Sequence, residues 1–245
     1  MRIDQIEVVG AFQPDQAAHL KLGSLLSGIA EANGTQLRQL NLPPIAPHGI
    51  PRVVVPVDGA VLHVGLDRVQ LSLNPPEHIR ASLDEVFEYA EHEIARLLEP
   101  ISSESWMQKR WAGVIVSAAM PTGVASLSEA AKQAAEGIVT LDLPGTMKTF
   151  QLQVGSEDGG LNKTFTISGY ETRTAEIQLV EGEGAVEIND SNSVVDEAGV
   201  RIVVDINNRP NPSGDNVSAY KDLIVSVRTT LDGMASYMNL RGVTQ

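Results

Sequence analysis

The stretch "RVVVPVDGAVLHVGLDRVQLSLNPPEHI", Arg52 to Ile79, decides how the chain folds. Asp58-Gly59 is the two-residue signal of a tight hairpin. A turn closed there sets Val57 opposite Ala60, Val55 opposite Leu62 and Val53 opposite Val64. Side chains alternate along a strand, so these six share one face. Val54, Pro56, Val61 and His63 take the other. A second reversal at Leu66-Asp67, with Gly65 opposite Arg68, adds Val69, Leu71 and Leu73 to the apolar face and sets His63 opposite Gln70. The sequence predicts an antiparallel meander of three strands with one dry face and one wetter face. Pro56 cannot donate to a ladder, which puts its strand at an edge or a bulge.

The same periodicities extend outward. "RIDQIEVVGAF" alternates as a strand, and Pro14-Asp15 opens a helix to about Ala32, stopped by Asn33-Gly34. "TQLRQLNL" offers a short strand and "PPIAPHGIP" a Pro-rich connection. After the meander, Ile79, Leu83, Val86, Ala90, Ile94 and Leu97 recur at three and four residues, predicting a helix from about Glu77 to Glu99. A polar link near Ser102–Ser105 precedes the strand "RWAGVIVSAAM". Ser126-Leu-Ser-Glu129 is a capping box that opens another helix. "TFQLQV", "KTFTISGY", "AEIQLV" and "GVRIVVDIN" read as four strands, and a last helix runs from about Asn216 to Asn239. Val217, Tyr220, Ile224, Val227, Leu231, Met234 and Met238 form its apolar seam. Such a seam can pair with a second copy as a homodimer or pack inside one chain. Leu223 and Tyr237 widen it, which suits packing inside one chain and predicts burial of Ile224, Val227 and Leu231.

These elements specify an α+β fold, with antiparallel sheets and helices packed on one face. Two halves, 1–104 and 105–245, each run strand, helix, three or four strands, helix. An internal duplication of that unit within one compact body is therefore expected. The order resembles the tandem unit of the TATA-binding-protein-like fold class. That resemblance implies curved antiparallel sheets with long helices on one face, and implies nothing about DNA. "IEVVGAFQP", "GLDRVQLSL" and "RIVVDINN" are similar to the marks of a bacterial family of hypothetical proteins. Its members begin with an EVV-type strand and close with an aspartate-containing strand and a long helix. The aromatic residues expected around these motifs are mostly missing here. The resemblance implies a bacterial or phage intracellular origin and carries over no activity and no catalytic residue.

Charge and composition narrow the function. The 245 residues carry 18 Lys and Arg against 31 Asp and Glu, a net charge of −13. Both parts of the chain are acidic, −5 over residues 1–120 and −8 over residues 121–245. Nucleic-acid affinity needs clustered cations, and Lys109-Arg110 is the one adjacent basic pair, so no nucleic-acid partner is expected. An acidic surface suits a basic protein partner. No apolar run reaches the roughly 18–20 residues of a membrane span, and the first residues lack the apolar core of a signal peptide. There is no cysteine, which removes disulfides, thiol catalysis and Cys-based zinc sites and suits the cytoplasm.

Few groups are placed for chemistry. Asp205, Asn207, Asn208 and Arg209 end an apolar strand and enter the loop "RPNPSGDN", the best-placed polar cluster for a ligand. They are also ordinary turn residues. His63 on the wetter face of the meander is the other candidate. Glu85, Glu88 and His92 share a helix face but miss the Glu-x-x-His spacing of a di-iron site, and Glu181–Gly199 only loosely matches a calcium loop. No metal site follows, and no Gly-rich phosphate loop, nucleophile elbow or zinc-protease motif is present, so no cofactor is expected. The expectation is a non-catalytic intracellular protein that works through protein binding or assembly. The alternative is a small-molecule-binding protein or enzyme with a site between curved sheet and long helix near Asp205–Arg209.

Overall fold

Nine strands form one antiparallel sheet: β1 (Arg2–Phe12), β2 (Arg38–Gln39), β3 (Val53–Val57), β4 (Ala60–Val64), β5 (Arg68–Leu73), β6 (Lys109–Pro121), β7 (Gln151–Asp158), β8 (Leu161–Thr174) and β11 (Val194–Asn207). The strands β9 (Ile177–Leu179) and β10 (Val186–Ile188) pair separately as a small ladder. The computed structural model describes residues 1–40, 46–48, 50–104, 106–136, 146–174, 177–179, 186–188, 193–209 and 216–240, with backbone alone for 177–179, 186–188, 216–218 and 236–240. Across the sheet the order is β2-β3-β4-β5-β1-β6-β11-β8-β7. Outward from the β1–β6 junction, both sides follow one rule. The first strand of each half meets its last, and the order then runs backwards through the half, as β1-β5-β4-β3 and β6-β11-β8-β7.

The meander adopts the register that its alternation predicts. Val57 pairs with Ala60, Val55 with Leu62, Val53 with Val64 and His63 with Gln70. Gly65 N–H donates to the Arg68 carbonyl at 2.9 Å, and Gly59 turns the hairpin at φ 68°. Leu62 is wholly buried, whereas His63 is half-buried on the opposite face. Pro56 costs the ladder nothing. The short β2 pairs only with Val53 and Val54, so the outer side of β3 is open where Pro56 sits.

All the helices in contact with the sheet lie on one face. The expected helix before Ala32 is broken at Leu22 into α1 (Ala18–Lys21) and α2 (Gly23–Ala32), which packs on β3. The expected helix from Glu77 begins later. Glu77–Ile79 is a single 3₁₀ turn, and α3 (Leu83–Glu93) starts where Ser82 Oγ accepts the Glu85 N–H at 3.4 Å. It continues through a π turn, Ile94–Leu98, into α4 (Glu99–Ser102). Pro100 explains the widened turn, since it has no N–H and its ring crowds the carbonyl four residues back. In α5 (Leu127–Ala135), Ser126 Oγ caps the Glu129 N–H at 3.3 Å, and the Glu129 carboxylate reaches back to the Ala125 N–H at 2.9 Å. Within "AEIQLV", Ile177–Leu179 is a strand as expected, and it pairs with β10 in the small ladder. The acidic stretch from Glu181, with its loose match to a calcium loop, holds β10 and the start of β11; Asp190 and Asn192 of that motif lie outside the described residues.

The last helix, α6 (Asn216–Leu240), lies along β6 and β11 and also touches α3 and α4. Tyr220, Leu223, Ile224, Val227 and Leu231 are buried in the same core as Val114, Val116, Val204 and Ile206. The seam is thus covered inside one chain. Its side chains at Val217 and Met238 lie outside the described residues.

Close approach at two glycines sets how tightly helices sit on the sheet. On β8, a Cβ at Gly169 would lie 2.6 Å from the Ala131 backbone nitrogen, so α5 rests directly on that strand. On β1, a Cβ at Gly10 would collide with the Tyr220 hydroxyl, while the ring carbon behind it stands at an ordinary 3.5 Å. That hydroxyl has no hydrogen-bond partner of good geometry among the described residues. Burial pushes the Tyr220 phenol up to about 12, with Ser102 opposing the shift. Gly10→Ala should therefore cost about 1–3 kcal/mol, the usual range for overpacking a filled core. Adding Tyr220→Phe should restore most of the loss, because only the hydroxyl collides. Urea midpoints of the two single variants and the double variant decide this; a double variant no more stable than Gly10→Ala alone contradicts it.

Candidate functional site

Alternation places every second residue of the sheet on the face away from the helices. One row across it runs Val54, His63, Gln70, Val9, Gly113, Asn207 and Asn162. The next runs Val61, Ser72, Glu7, Ile115, Asp205 and Thr164. No described element packs over these rows. The centre is apolar, with Val9, Ile115 and Val203, and polar residues surround it. At one end of the face Arg2 reaches across Ala119 to Glu197 with two bonds of 2.8 and 2.9 Å, and the Tyr170 hydroxyl donates to the same carboxylate at 2.6 Å. Arg2 holds Glu197 below the ordinary carboxylate range, and burial raises the Tyr170 phenol.

The structure separates the two groups of predicted site residues. His63 and Asn207 stand in one row four strands apart, roughly 19 Å at ~4.8 Å per strand. Burial lowers the pKa of His63, and its Nδ1 has no partner among the described residues. Asn207 and Asn208 are buried and do structural work. Asn208 Oδ1 accepts the Ala112 N–H at 2.7 Å while Asn208 N–H donates to the Ala112 carbonyl at 3.1 Å. A side-chain carbonyl thus adds one more rung to the β6–β11 ladder. Asn207 Nδ2 donates to Asp205 at 3.2 Å, and its Oδ1 accepts the Arg209 N–H at 3.4 Å. Asp205 Oδ1 is thereby engaged within the turn. Glu85, Glu88 and His92 are all exposed, and among the described residues no three His, Asp or Glu stand close enough to hold a metal.

Arg209 is the exception. It leaves the turn and stacks on Trp111, with its guanidinium carbon 4.0 Å from the ring centroid. Together with Gln13, Lys109 and Arg110, these two line an open cleft of about 610 Å³. A β-bulge builds it. Ala11 pairs with Trp111 but Phe12 pairs with Lys109, which leaves Arg110 as the extra residue and turns successive side chains toward one space. Gly113 gives the Trp111 ring its place, since a Cβ there would lie 3.3 Å from that ring. The sequence showed Lys109-Arg110 as a basic pair. It did not show the bulge that aims them beside Trp111, nor the approach of Arg209 from another strand.

Glu7 is a carboxylate that the sheet partly buries. Gln70 and Gln5 amides donate to it at 3.1 and 3.2 Å, and burial raises its pKa. A carboxyl raised on folding favours the folded state in its protonated form, so that support is present at acid pH and is lost as pH rises through the raised value. Glu7→Gln stays neutral throughout. Its stability relative to the parent should therefore improve between about pH 4 and about pH 8. Denaturation midpoints at both ends of that range test this, and a difference that stays constant or reverses contradicts it.

Comparison with known proteins adds no identity: no family model matches the chain, and no curated protein matches it.

Proposed function

We propose that the protein is a non-catalytic binding protein that engages another protein across the helix-free face of its sheet. The observation that carries this reading is the placement of every sheet-packed helix on one side, which leaves the opposite side of nine strands without a covering element among the described residues. Eight gaps of ~4.8 Å make that face roughly 38 Å wide, and even a five-residue strand runs ~17 Å. An area of roughly 650 Å² or more is close to the ~800 Å² that one partner presents in a standard interface. The partly exposed apolar centre at Ile115 and Val203 with a polar surround has the anatomy of such an interface. A net charge of −13 favours a basic partner and speeds its approach.

A catalytic reading has less support. Asp205 and Asn207 hold a turn together, Asn208 binds Ala112 of β6, and His63 stands far from them. The matching strand order on the two sides of β1–β6 supports an origin by internal duplication. The cysteine-free sequence suits a reducing compartment, and we place the protein in the cytoplasm. Among the described residues no helix is long and apolar enough to cross a membrane.

A photo-crosslinking residue placed at Val203 or Ile115 tests the surface against one placed at Val225, which is 59% exposed on α6. In extract of the source cells, the same discrete adduct should form from both sheet positions and not from Val225. Capture at Val225 with none at the sheet positions would assign binding to the helical side instead.

A further inference from the structure

We propose that β7 is the edge through which two copies of this chain associate, antiparallel and about a two-fold axis at Gln153, so that their two sheets run on as one. The pairing leaves the helix-free face as it is, so it goes beyond the docking proposed above and stands or falls separately. The first argument is the contrast between the two ends of the sheet. An outer strand offers unpaired N–H and C=O groups to any other strand, and proteins blunt such edges with short strands, proline, lysine or bulges. One end here is blunted: β2 is two residues long, and Pro56 removes a donor from β3 beside it. The other is not. β7 has eight residues, pairs with β8 without a register shift, contains no proline or lysine, and is exposed at every residue except Leu152. Among the described residues no strand lies beyond it. Val154, 48% exposed, adds an apolar side chain to that edge.

The second argument is that this edge is complementary to itself. The Phe150 carbonyl accepts the Gly169 N–H of β8 at 3.3 Å. Main-chain groups point alternately to the two sides of a strand, so those of Gln151, Gln153, Gly155 and Glu157 point outward. An antiparallel copy can meet β7 with Gln153 against Gln153 and Gln151 against Gly155, which forms about six main-chain hydrogen bonds. In this register Leu152 lies opposite the partner's Val154, apolar against apolar. Lys148, just before the strand, lies opposite the partner's Asp158, and the two-fold axis makes that contact twice. Asp158 gives one carboxylate oxygen to Lys163 at 2.9 Å and is otherwise exposed, so its other oxygen can take a second cation. Glu157 meets Thr149 rather than another acid, and like charges directly opposite would destabilise the pair. Moving the axis to Val154 leaves Lys148 beyond the pairing, and moving it to Leu152 sets Lys148 opposite Ser156. The match is a property of this sequence with itself, which favours a second copy over a foreign strand. The charge of −13 on each copy opposes association, but at physiological ionic strength charges more than about 8 Å apart are largely screened.

The cysteine-free chain allows the register to be read directly. The two axis residues would face each other with Cα atoms about 5.5 Å apart, within disulfide range. Gln153→Cys should therefore crosslink to a dimer under mild oxidation. Gly155→Cys, whose two copies would stand about 14 Å apart, should not. The unaltered chain should sediment as a monomer–dimer equilibrium across the micromolar range. Gln153→Pro removes an outward N–H and no bond to β8, so it should weaken dimerisation roughly tenfold or more and leave the far-ultraviolet circular dichroism unchanged. Val154→Lys, at an exposed position, should weaken it as well. Hydrogen exchange at the amides of Gln151, Gln153 and Gly155 should slow as concentration rises. A chain that is monomeric throughout that range, a dimer unaffected by both edge variants, or crosslinking at position 155 in preference to 153 would overturn the proposal. So would slow exchange at those amides in the monomer, which would mean that the chain covers its own edge.

Discussion

The pairing of β1 with β6 is the constraint on which the rest of the structure depends. It joins two half-sheets into one, and its register sets which side chains of both halves share a core. Ile6 meets Val116, Val8 meets Val114 and Gly10 meets Ala112, and all six face the helices. The smallest pair, Gly10 and Ala112, leaves the hollow that Tyr220 of α6 fills. A one-residue slip would carry Glu7 and Gln5 into that core and move Ile6 and Val8 out, because side chains alternate with a period of two. Burying an unpaired carboxylate there would cost far more than the chain could offset. The register is therefore specified by the core itself.

The same register prepares the opposite face. With Ile6, Val8 and Gly10 turned inward, Glu7, Val9 and Ala11 must face away, beside Ile115, Gly113 and Trp111. The pairing breaks its rule only at its end, where the extra residue Arg110 turns three successive β6 side chains toward one cleft. Asn208 then holds the end of β11 to Ala112, which delivers the next residue, Arg209, to the Trp111 ring. The cationic cleft is thus a product of how three central strands end together. At the other end of the face, Arg2, Glu197 and Tyr170 tie β1, β11 and β8 across the intervening β6.

Local patterns were legible from the residues. Asp58-Gly59 and the strict alternation around it specified the meander pair by pair, because turn chemistry and burial agree there. The Ser126 cap and the Ile224–Val227–Leu231 seam were equally clear. Other features depend on contacts that periodicity does not encode. A helix continuing from Pro14 to Ala32 ignored the break at Leu22, and one beginning at Glu77 ignored the cap at Ser82. Within "AEIQLV" the alternation marks the strand Ile177–Leu179, and only the assembled structure gives its partner, β10. Among site residues, Asp205, Asn207 and Asn208 carried the chemistry of both a turn and a ligand site, and hydrogen bonds within the turn and to Ala112 of β6 claim them. Arg209 alone reaches a cleft, and its neighbours there, Lys109, Arg110 and Trp111, lie about 100 residues earlier in the chain. A bulge and a long-range stacking contact leave no periodic trace, which is why that site emerges only from the assembled sheet.

The central claim is that helices cover one face of the sheet and that, among the described residues, no element covers the other. The absence of cysteine makes a direct test possible, because any introduced thiol is the one thiol in the chain. Val203 and Val204 are adjacent in β11 and point to opposite faces; Val204 is 0% exposed beneath the helices, whereas Val203 is partly exposed. The decisive measurement is the rate at which a water-soluble thiol reagent labels Val203→Cys and Val204→Cys in native buffer, with the same rates in denaturant as reference. The account predicts ready labelling at position 203 and strong protection at position 204 until the protein unfolds. Protection at 203 with labelling at 204, or equal protection at both, would contradict it.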